Sequence, residues 1–217
     1  FWLFLSDSGA QWGVVAVLLL ATALVASKQT GTKARILKGI HFLGGLFVVL
    51  FAFAVTNEFV TKPLVAAPRP YALKLEAEGL FKAEEFYALP NKRERTLFLR
   101  KTFDEHPDHP LVQSLDPKIR EHWELETGFS FPSGHSLNAF LFAVVLAFLI
   151  QWLLPQGRRW VWIPFLWAGG VCLSRIGVGV HSPLDVTVGA LLGGLVGCFI
   201  LLAGLFDKVL PAGPMEN

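Results

Sequence analysis

The sequence predicts an all-α protein, a polytopic bundle of transmembrane helices with a small helical cap outside the membrane. Apolar residues make up 53% of the 217 residues, above the roughly 45–50% of an ordinary soluble chain. Long apolar runs recur along the whole chain, and most of the charged residues fall in one polar stretch between two of those runs. These two observations together favour a membrane protein with one polar insertion.

Five apolar runs approach the roughly 20 residues that a helix needs to cross a bilayer. They cover residues 12–27, 39–60, 137–154, 160–178 and 184–206. The first run is the shortest and gains length only from Ala10 and Gln11. A single run could equally be a buried helix of a soluble core, but five runs in one short chain favour membrane spans. We therefore expect residues 1–217 to form a single membrane domain.

The polar insertion, residues 63–128, is predicted to be a helical cap between the second and third spans. Counted from Lys62 to Gly128, this stretch holds 11 of the 19 basic and 12 of the 17 acidic residues. Asn91 and Asp116 are residue types that cap helix N-termini, and Pro117 suits a first helical position. Residues 71–89 are expected to be helical as well.

The basic residues of the short loops predict the orientation, because such residues stay on the cytoplasmic side. All of them fall on one side of the five-span arrangement: Lys28, Lys33, Arg35, Lys38, Arg158, Arg159 and Lys208. The cap and Phe1 then lie outside the cytoplasm. An outward start without a leader suggests that a further span precedes Phe1, which would make six in the full protein.

Charge and glycine spacing bear on partners. The net charge is only +2 and the charged stretch has mixed sign, whereas a nucleic-acid-binding protein is expected to cluster Lys and Arg on one face. We therefore expect no nucleic-acid partner.

Gly189, Gly193 and Gly197 recur every four residues in the last run, a spacing that lets helices approach closely. This seam serves either packing within the bundle or a homodimer, so monomer and homodimer both stay open.

Three groups of ionisable residues lie at span ends, where charge is costly and is by default a candidate for function. The first is Lys62 followed by Arg69-Pro70, although a lone lysine at a helix end is more often a snorkelling anchor. The second is Pro132-Ser133-Gly134-His135 at the start of the third span. The free amides of a helix start bind anions, and Gly134 allows close approach. A plain helix cap with a packed histidine is the alternative.

The third group is Ser174-Arg175, His181 and Asp185. If helical, His181 and Asp185 share one face, because they are four residues apart. The carboxylate could then hold one imidazole nitrogen and leave the other free as nucleophile or base, and Arg175 offers a bidentate fork for phosphate oxygens. An ion pair that steers helix packing is the alternative. The predicted topology brings all three groups to the outer face, where they would form one anion pocket.

These three strings, in this order, resemble the signature of the type 2 phosphatidic acid phosphatase superfamily. Further strings resemble its bacterial phosphatidylglycerophosphatase B branch: Glu85-Phe86-Tyr87, His122-Trp123 and Glu126-Thr127-Gly128-Phe129. The resemblance covers about residues 12–206. Two features depart from the family, namely the 61 residues between Pro70 and Pro132 and the five visible spans where six are usual.

The resemblance implies a role for each residue. His181 would attack phosphorus, Asp185 would fix its tautomer, and His135 would protonate the leaving oxygen and then activate water. The phosphate-binding residues would be Lys62, Arg69, Ser133, Gly134 and Arg175. Glu126 would contact a polar headgroup or tune His135, with a surface or capping carboxylate as the alternative.

The resemblance also implies a substrate class and a location. The substrate would be a lipid phosphate or diphosphate: phosphatidylglycerophosphate, phosphatidate, diacylglycerol diphosphate or undecaprenyl diphosphate. The protein would lie in a bacterial inner membrane with its site facing the periplasm or exterior. We expect no cofactor and no metal, since the sequence offers neither a carboxylate cluster nor an H-E-x-x-H motif. A lipid phosphotransferase of the same fold and a non-catalytic lipid-phosphate binder or transporter are the alternatives.

Overall fold

The computed structural model describes residues 1–154 and 156–211, and in this part of the chain the regular structure is helical. The α-helices are α1 Trp2–Ser8, α2 Gln11–Ser27, α3 Thr32–Thr56, α4 Lys62–Val65, α5 Pro70–Ala77, α6 Ala83–Ala88, α7 Lys92–Glu105, α8 Pro110–Ser114, α9 Pro117–Leu125, α10 Gly134–Leu153, α11 Ile163–Gly177 and α12 Pro183–Leu202. A π-helical turn, Asn57–Thr61, joins α3 to α4, and a 3₁₀ turn, Gly157–Arg159, precedes α11. The predicted all-α fold is confirmed.

The long helices form a bundle centred on α10. This helix packs against α12, α11 and α2, and α2 also packs against α3. Phe42 and Leu46 of α3 meet Leu141 and Phe142 of α10 in an apolar core from which solvent is excluded. Burial of these side chains stabilises the bundle interior, while the outward faces of α3 and α12 keep many large apolar residues exposed. Such outer faces are expected of helices that contact lipid.

Each of the five apolar runs that the sequence predicts as spans lies largely within a helix, namely α2, α3, α10, α11 and α12. Within the described residues, three helical stretches are by themselves long and apolar enough to cross a membrane: the one that starts at Thr32, then Gly134–Leu153 and Pro183–Leu202. A fourth span results if α1 and the following helix, which meet at a bend of 52°, are counted together. Helix α11 has only 15 residues because residues 160–162 remain in turns and Gly179, at φ +77°, follows its end.

The glycines of α12 pack inside the bundle. A Cβ atom on Gly193 would lie 2.0 Å from the main-chain oxygen of Leu137, and one on Gly189 would lie 2.5 Å from that of Ser133. On Gly197 it would lie 2.8 Å from Val144. These glycines therefore let the backbones of α12 and α10 touch. Of the two roles that the glycine spacing left open, the structure shows packing within the bundle.

The α3–α4 connection changes its helical geometry just before the site. Residues 57–61 form a π-helical turn, a form that is rare and often found at functional sites because the extra residue re-aims the side chains that follow it. Helix α4 then stops at Ala66, which adopts the left-handed conformation with φ +51°. The chain leaves the bundle there and enters α5 at Pro70, so that Lys62 and Arg69 flank a sharp reversal.

Helices α5–α9 fall within the residues predicted to form the cap. Their apolar faces share a second core, in which Tyr71, Phe86, Leu99, Phe103 and Trp123 are buried. The predicted N-caps are confirmed, since the side chains of Asn91 and Asp116 accept hydrogen bonds from the amides of Glu94 and Lys118. The stretch predicted as helical over residues 71–89 splits into α5 and α6, because Gly79 takes φ +76° between them.

Candidate active site

The start of α10 is built as a capped helix N-terminus. Ser133 is the N-cap residue, and its hydroxyl accepts a hydrogen bond from the amide of Ser136 over 3.3 Å. Gly134 and His135 begin the first turn, where main-chain amides have no partner within the helix and attract anions. A Cβ on Gly134 would come within 3.3 Å of the side-chain nitrogen of Asn57. The glycine thus keeps the approach to these amides open.

His181 lies in the turn before α12 rather than on the helix. The sequence placed the helix start near His181, but α12 begins at Pro183 with Ser182 as its N-cap, because proline suits the first helical position and serine the cap. His181 and Asp185 still meet across this turn, with Nδ1 of the imidazole 3.6 Å from Oδ2 of the carboxylate. Their predicted pairing therefore arises from a capping turn and not from a shared helical face.

Asp185 is held by groups other than the histidine. Its Oδ2 accepts hydrogen bonds from the hydroxyl of Ser130 and, over 2.6 Å, from the amide of Ser182. The hydroxyl of Ser182 accepts from the amide of Asp185 in return, which completes a capping box. The buried Nδ1 of His181, at 3.6 Å from the carboxylate, has no hydrogen-bond partner among the described residues. A small rotation of the imidazole would close this gap.

Arg69 joins the residues predicted to form the cap to the turn that carries His181. Its buried guanidinium donates to the main-chain oxygens of Gly128, over 2.9 Å, and Val180, over 3.1 Å. The same group lies 3.4 Å from Nε2 of His181 and forms an ion pair with Glu126 at 2.7 Å. Arg69 therefore sits beside the imidazole nitrogen that faces away from Asp185.

Glu126 bridges two arginines. One carboxylate oxygen pairs with Arg69 and the other with Arg175, whose guanidinium is fully buried. Arg175 also donates to the hydroxyl of Ser6 and lies 3.1 Å from Nε2 of His122. The carboxylate of Glu126 thus occupies the position between two guanidinium groups that suits a phosphate.

Burial and the neighbouring charges set the protonation states of Glu126 and His181. Burial alone would raise the pKa of Glu126, but Arg69 and Arg175 outweigh that effect and hold the pKa well below its ordinary value. Burial lowers the pKa of His181 to about 3, although the contact with Asp185 acts in the opposite direction. Near neutral pH the carboxylate is therefore ionised and the imidazole of His181 is neutral, which is the nucleophilic form.

Lys62 pairs with Glu58 of the preceding π-helical turn, and Glu58 also pairs with a residue of the cap. Its ammonium donates to Glu58 over 3.0 Å, and the second carboxylate oxygen of Glu58 pairs with Lys92, the first residue of α7. Lys62 is almost buried, whereas more than half of the Lys92 side chain is exposed. The carboxylate of Glu58 thereby links the π-helical turn to the cap.

One cavity of about 580 Å³ contains most of the predicted site residues. Its lining includes Lys62, Arg69, Glu126, Gly134, His135 and His181. The other three predicted residues, Arg175, Ser133 and Asp185, are not in that lining and lie buried next to it. The three sequence groups therefore meet at one place, as a hydrogen bond over 3.0 Å from the amide of Ser133 to the main-chain oxygen of Asp185 also shows.

Several residues of the site were not assigned a role from the sequence. Ser130 contacts Asp185, and both His122 and Ser6 contact Arg175. Glu58 and Lys92 line the cavity. His122 appeared in the sequence only as part of the His122-Trp123 string of the family resemblance, and the position of Ser130 five residues before His135 was its one signal. Within residues 1–154 and 156–211, no group of three His, Cys, Asp or Glu side chains could hold a metal ion.

A helical membrane bundle whose two histidines and clustered cations share one cavity defines a membrane protein with an anion-binding pocket. The family model described as PAP2 superfamily matches residues 42–205. This match spans most of the chain, and the chain belongs to that superfamily. All three sequence groups fall inside the matched region.

Relatives with known names agree with that membership. The chain is 33% identical to phosphatidylglycerophosphatase B of Escherichia coli (strain K12) over 186 residues, which are 83% of this chain and 66% of the relative. It is 29% identical to phosphatidylglycerophosphatase B of Haemophilus influenzae over 210 residues, 92% of this chain and 80% of the relative. It is 44% identical to the undecaprenyl-diphosphatase of Sulfolobus acidocaldarius over 68 residues, 31% of this chain and 30% of the relative.

The chain spans slightly less than two thirds of the length of the Escherichia coli relative. The candidate membrane-spanning helices and the bacterial origin of the two longer matches indicate a bacterial membrane protein.

Proposed function

We propose that this protein is a membrane lipid phosphatase that removes phosphate from phosphomonoester or diphosphate headgroups through a phosphohistidine intermediate, without a metal ion. The observation that carries the proposal is the single cavity in which two histidines and three cations, Lys62, Arg69 and Lys92, meet an apolar groove. The charged end suits a phosphate, and the apolar end suits a hydrocarbon chain. An amphiphilic substrate would satisfy both at once.

The apolar part of the cavity lies between α2 and α3. It is lined by Val14, Val15, Leu18, Phe47, Leu50 and Phe51. Because Val15, Phe47 and Phe51 are exposed at the bundle surface, this groove opens toward the surrounding lipid. A lipid substrate could then keep its chains in the bilayer while its headgroup reaches His181.

In the first step, Nε2 of His181 attacks phosphorus and forms a P–N bond. This nitrogen is the one beside Arg69, and the other nitrogen faces Asp185. As the bond between phosphorus and the leaving oxygen breaks, His135 donates a proton to that oxygen. The lipid alcohol or lipid monophosphate leaves, and Asp185 stabilises the charged imidazole.

In the second step, water replaces the histidine. His135, now neutral, accepts a proton from a water molecule whose oxygen attacks phosphorus, and the P–N electron pair returns to His181. Arg69, Lys62 and the first amides of α10 would stabilise the phosphoryl oxygens in both steps. Arg175 would join them once Glu126 moves aside. Positioning and charge stabilisation account for most of phosphoryl-transfer catalysis, so these groups could serve in place of metal ions.

The physiological substrate and orientation are parts of the same proposal. The names of the relatives favour phosphatidylglycerophosphate or undecaprenyl diphosphate as substrates. Phosphatidate and diacylglycerol diphosphate carry the same reacting groups. The positions of the basic loops favour a site at the extracytoplasmic face of a bacterial inner membrane.

The test is a phosphate-release assay with reconstituted protein, the four lipids above as separate substrates, and excess chelator throughout. We expect release from at least one lipid at a rate that chelator does not change. Loss of activity in chelator that a divalent ion restores would contradict the metal-free mechanism. Release only when a second lipid acceptor is present would favour a phosphotransferase, and binding without any release would favour a lipid-phosphate binder or transporter.

A further inference from the structure

Lys92 is a cation that the proposed catalytic steps do not use, although it lines the same cavity as His135 and His181. It opens α7 of the cap, 30 positions after Lys62 in the sequence. More than half of its side chain is exposed, and among the described residues its ion-pair partner is Glu58. A solvent-facing ammonium beside a phosphate pocket is available to a ligand at little desolvation cost.

The backbone around Lys92 fixes its position relative to Arg69. The main-chain oxygen of Lys92 accepts a hydrogen bond from the hydroxyl of Thr127 over 3.0 Å. Its side-chain stem lies over Gly128, where an added Cβ atom would come within 2.9 Å of the Lys92 Cε atom. The carbonyl of this same glycine accepts from Arg69. Lys92 and Arg69 therefore both contact a single residue, Gly128.

Glu58 is the carboxylate that an anion must displace in order to bind Lys92. Its carboxylate contacts both Lys62 and Lys92, and it is partly exposed in the cavity. An anion that enters beside Lys62 can replace this carboxylate as the partner of Lys92. Glu58 remains paired with Lys62 when that happens, so Lys92 is the cation that can be released without leaving a buried charge unpaired.

From this geometry we propose that Lys92 is a subsite for a second phosphate group of the substrate, as in a lipid diphosphate. Glu58 is the ion-pair partner of Lys92 that this phosphate displaces. The reacting phosphate lies between Arg69 and the start of α10, and the second phosphate binds Lys92 at the cap side of the cavity. A lipid with a single phosphate leaves Lys92 paired with Glu58. The inference rests on the proposed phosphatase function and names the substrate group that the site selects.

The experiment compares diacylglycerol diphosphate with phosphatidate as substrates of reconstituted protein. The measured quantity is the ratio of kcat/KM for the diphosphate to kcat/KM for the monophosphate, taken from initial rates of phosphate release. We expect Lys92→Met to lower this ratio about tenfold, which is typical for loss of one charge-assisted hydrogen bond. An unchanged ratio, whether both substrates slow equally or neither does, would overturn the subsite.

Lys101→Met is the matched control. Lys101 lies on the same helix and pairs with Glu105 at 3.6 Å, but it is not in the cavity lining. This variant should leave the ratio unchanged, and a fall equal to that of Lys92→Met would show a general effect of charge on the cap. Glu58→Gln removes the competing carboxylate and should raise the ratio, whereas a fall would assign the selectivity to Glu58 and overturn the role of Lys92.

A binding measurement separates this inference from the proposed function. In the same preparations, the increase in Tm is measured as a function of inorganic pyrophosphate and of orthophosphate. Lys92→Met should weaken pyrophosphate binding more than orthophosphate binding, and equal weakening would overturn the subsite. If the wild-type protein releases no phosphate from either lipid but binds pyrophosphate through Lys92, the phosphatase proposal fails and the subsite stands. The Tm without ligand shows whether each variant is folded.

Discussion

The amide of Ser133 donates a hydrogen bond to the main-chain oxygen of Asp185 over 3.0 Å. This contact ties the N-cap of α10 to the first turn of α12, so the elements that carry His135 and His181 share one backbone junction. Ser133 is fully buried and Asp185 nearly so. The relative placement of the two histidines therefore depends on main-chain geometry, which substitutions of the histidines themselves should leave intact.

Replacement of His181 tests the nucleophile. We expect His181→Ala to lower phosphate release from a lipid phosphate by about 10⁴-fold or more, since loss of a nucleophile removes the covalent route. His106→Ala is the control, because His106 lies at the end of α7 in the cap. Phosphate release above a tenth of the wild-type rate in a folded His181→Ala protein would rule out the nucleophile assignment.

Replacement of Asp185 tests whether its carboxylate fixes the tautomer and orientation of the His181 imidazole. Asp185→Asn should lower kcat by about 10³–10⁴-fold, by analogy with a serine-protease triad in which the same change stabilises the wrong tautomer. Ser130→Ala should lower kcat less, because Ser182 still binds the carboxylate. If Asp185→Asn keeps kcat within threefold of wild type, Asp185 does not orient His181. A larger defect in Ser130→Ala than in Asp185→Asn would also contradict this order.

Glu126 is expected to compete with phosphate for its two arginines. Glu126→Gln keeps the shape of the side chain but removes the charge that pairs with Arg69 and Arg175. In the absence of ligand, the free energy of unfolding should fall by about 3 kcal/mol, as for a broken buried ion pair. Orthovanadate, a phosphate mimic, should nevertheless bind more tightly and restore the Tm.

The measurement for Glu126 is the Tm as a function of orthovanadate concentration. Glu121→Gln, an exposed change on α9, is the matched control and should behave as wild type. Weaker vanadate binding by Glu126→Gln than by wild type would mean that the carboxylate supports the anion site instead of competing with the anion.

The lowered pKa of His181 predicts how stability depends on pH. The folded protein keeps this imidazole neutral down to a pKa of about 3, whereas the unfolded chain takes up the proton below about pH 6.5. Protonation therefore favours the unfolded state as the pH falls from about 6.5 toward 3. At pH 5 this one group should cost about 2 kcal/mol of unfolding free energy relative to pH 7.5.

Chemical unfolding of wild type and His181→Gln at pH 7.5 and pH 5 measures this effect. The variant should lose about 2 kcal/mol less stability than wild type over that interval. Equal losses in the two proteins would show that His181 is not held neutral in the folded state. The ionised Glu126 does not interfere, because its folded pKa lies well below the ordinary value and its contribution fades only at lower pH.

The sequence predicted those parts of the fold that depend on neighbouring residues. Residue types with strong N-cap preference at Asn91, Asp116 and Ser133 stand where helices begin. The spacing of Gly189 and Gly193 likewise indicated close helix packing, because periodicity along one helix is visible in its own sequence. Hydropathy located the apolar run of α11 but did not register the turn at residues 160–162, which leaves this helix with 15 residues.

The bridges across the site could not be predicted in the same way. Glu126 is 57 residues from Arg69 and 49 from Arg175, and no periodic pattern links positions so far apart. The π-helical turn was also invisible, because one extra residue in a turn leaves the apolar pattern of α3 almost unchanged. The contact of Glu58 with Lys92 depends on that turn and on the fold of the cap together.

The contact of Gly193 with the backbone of Leu137 has a consequence for how the protein responds to its membrane. Where two helices touch backbone to backbone, they cannot tilt past each other without breaking van der Waals contact along the whole seam. Thinner or thicker bilayers should then alter how α2 and α3 accommodate an incoming lipid, while α10 and α12 move as one body. Lipid composition should thus affect the groove between α2 and α3 more than the junction between α10 and α12.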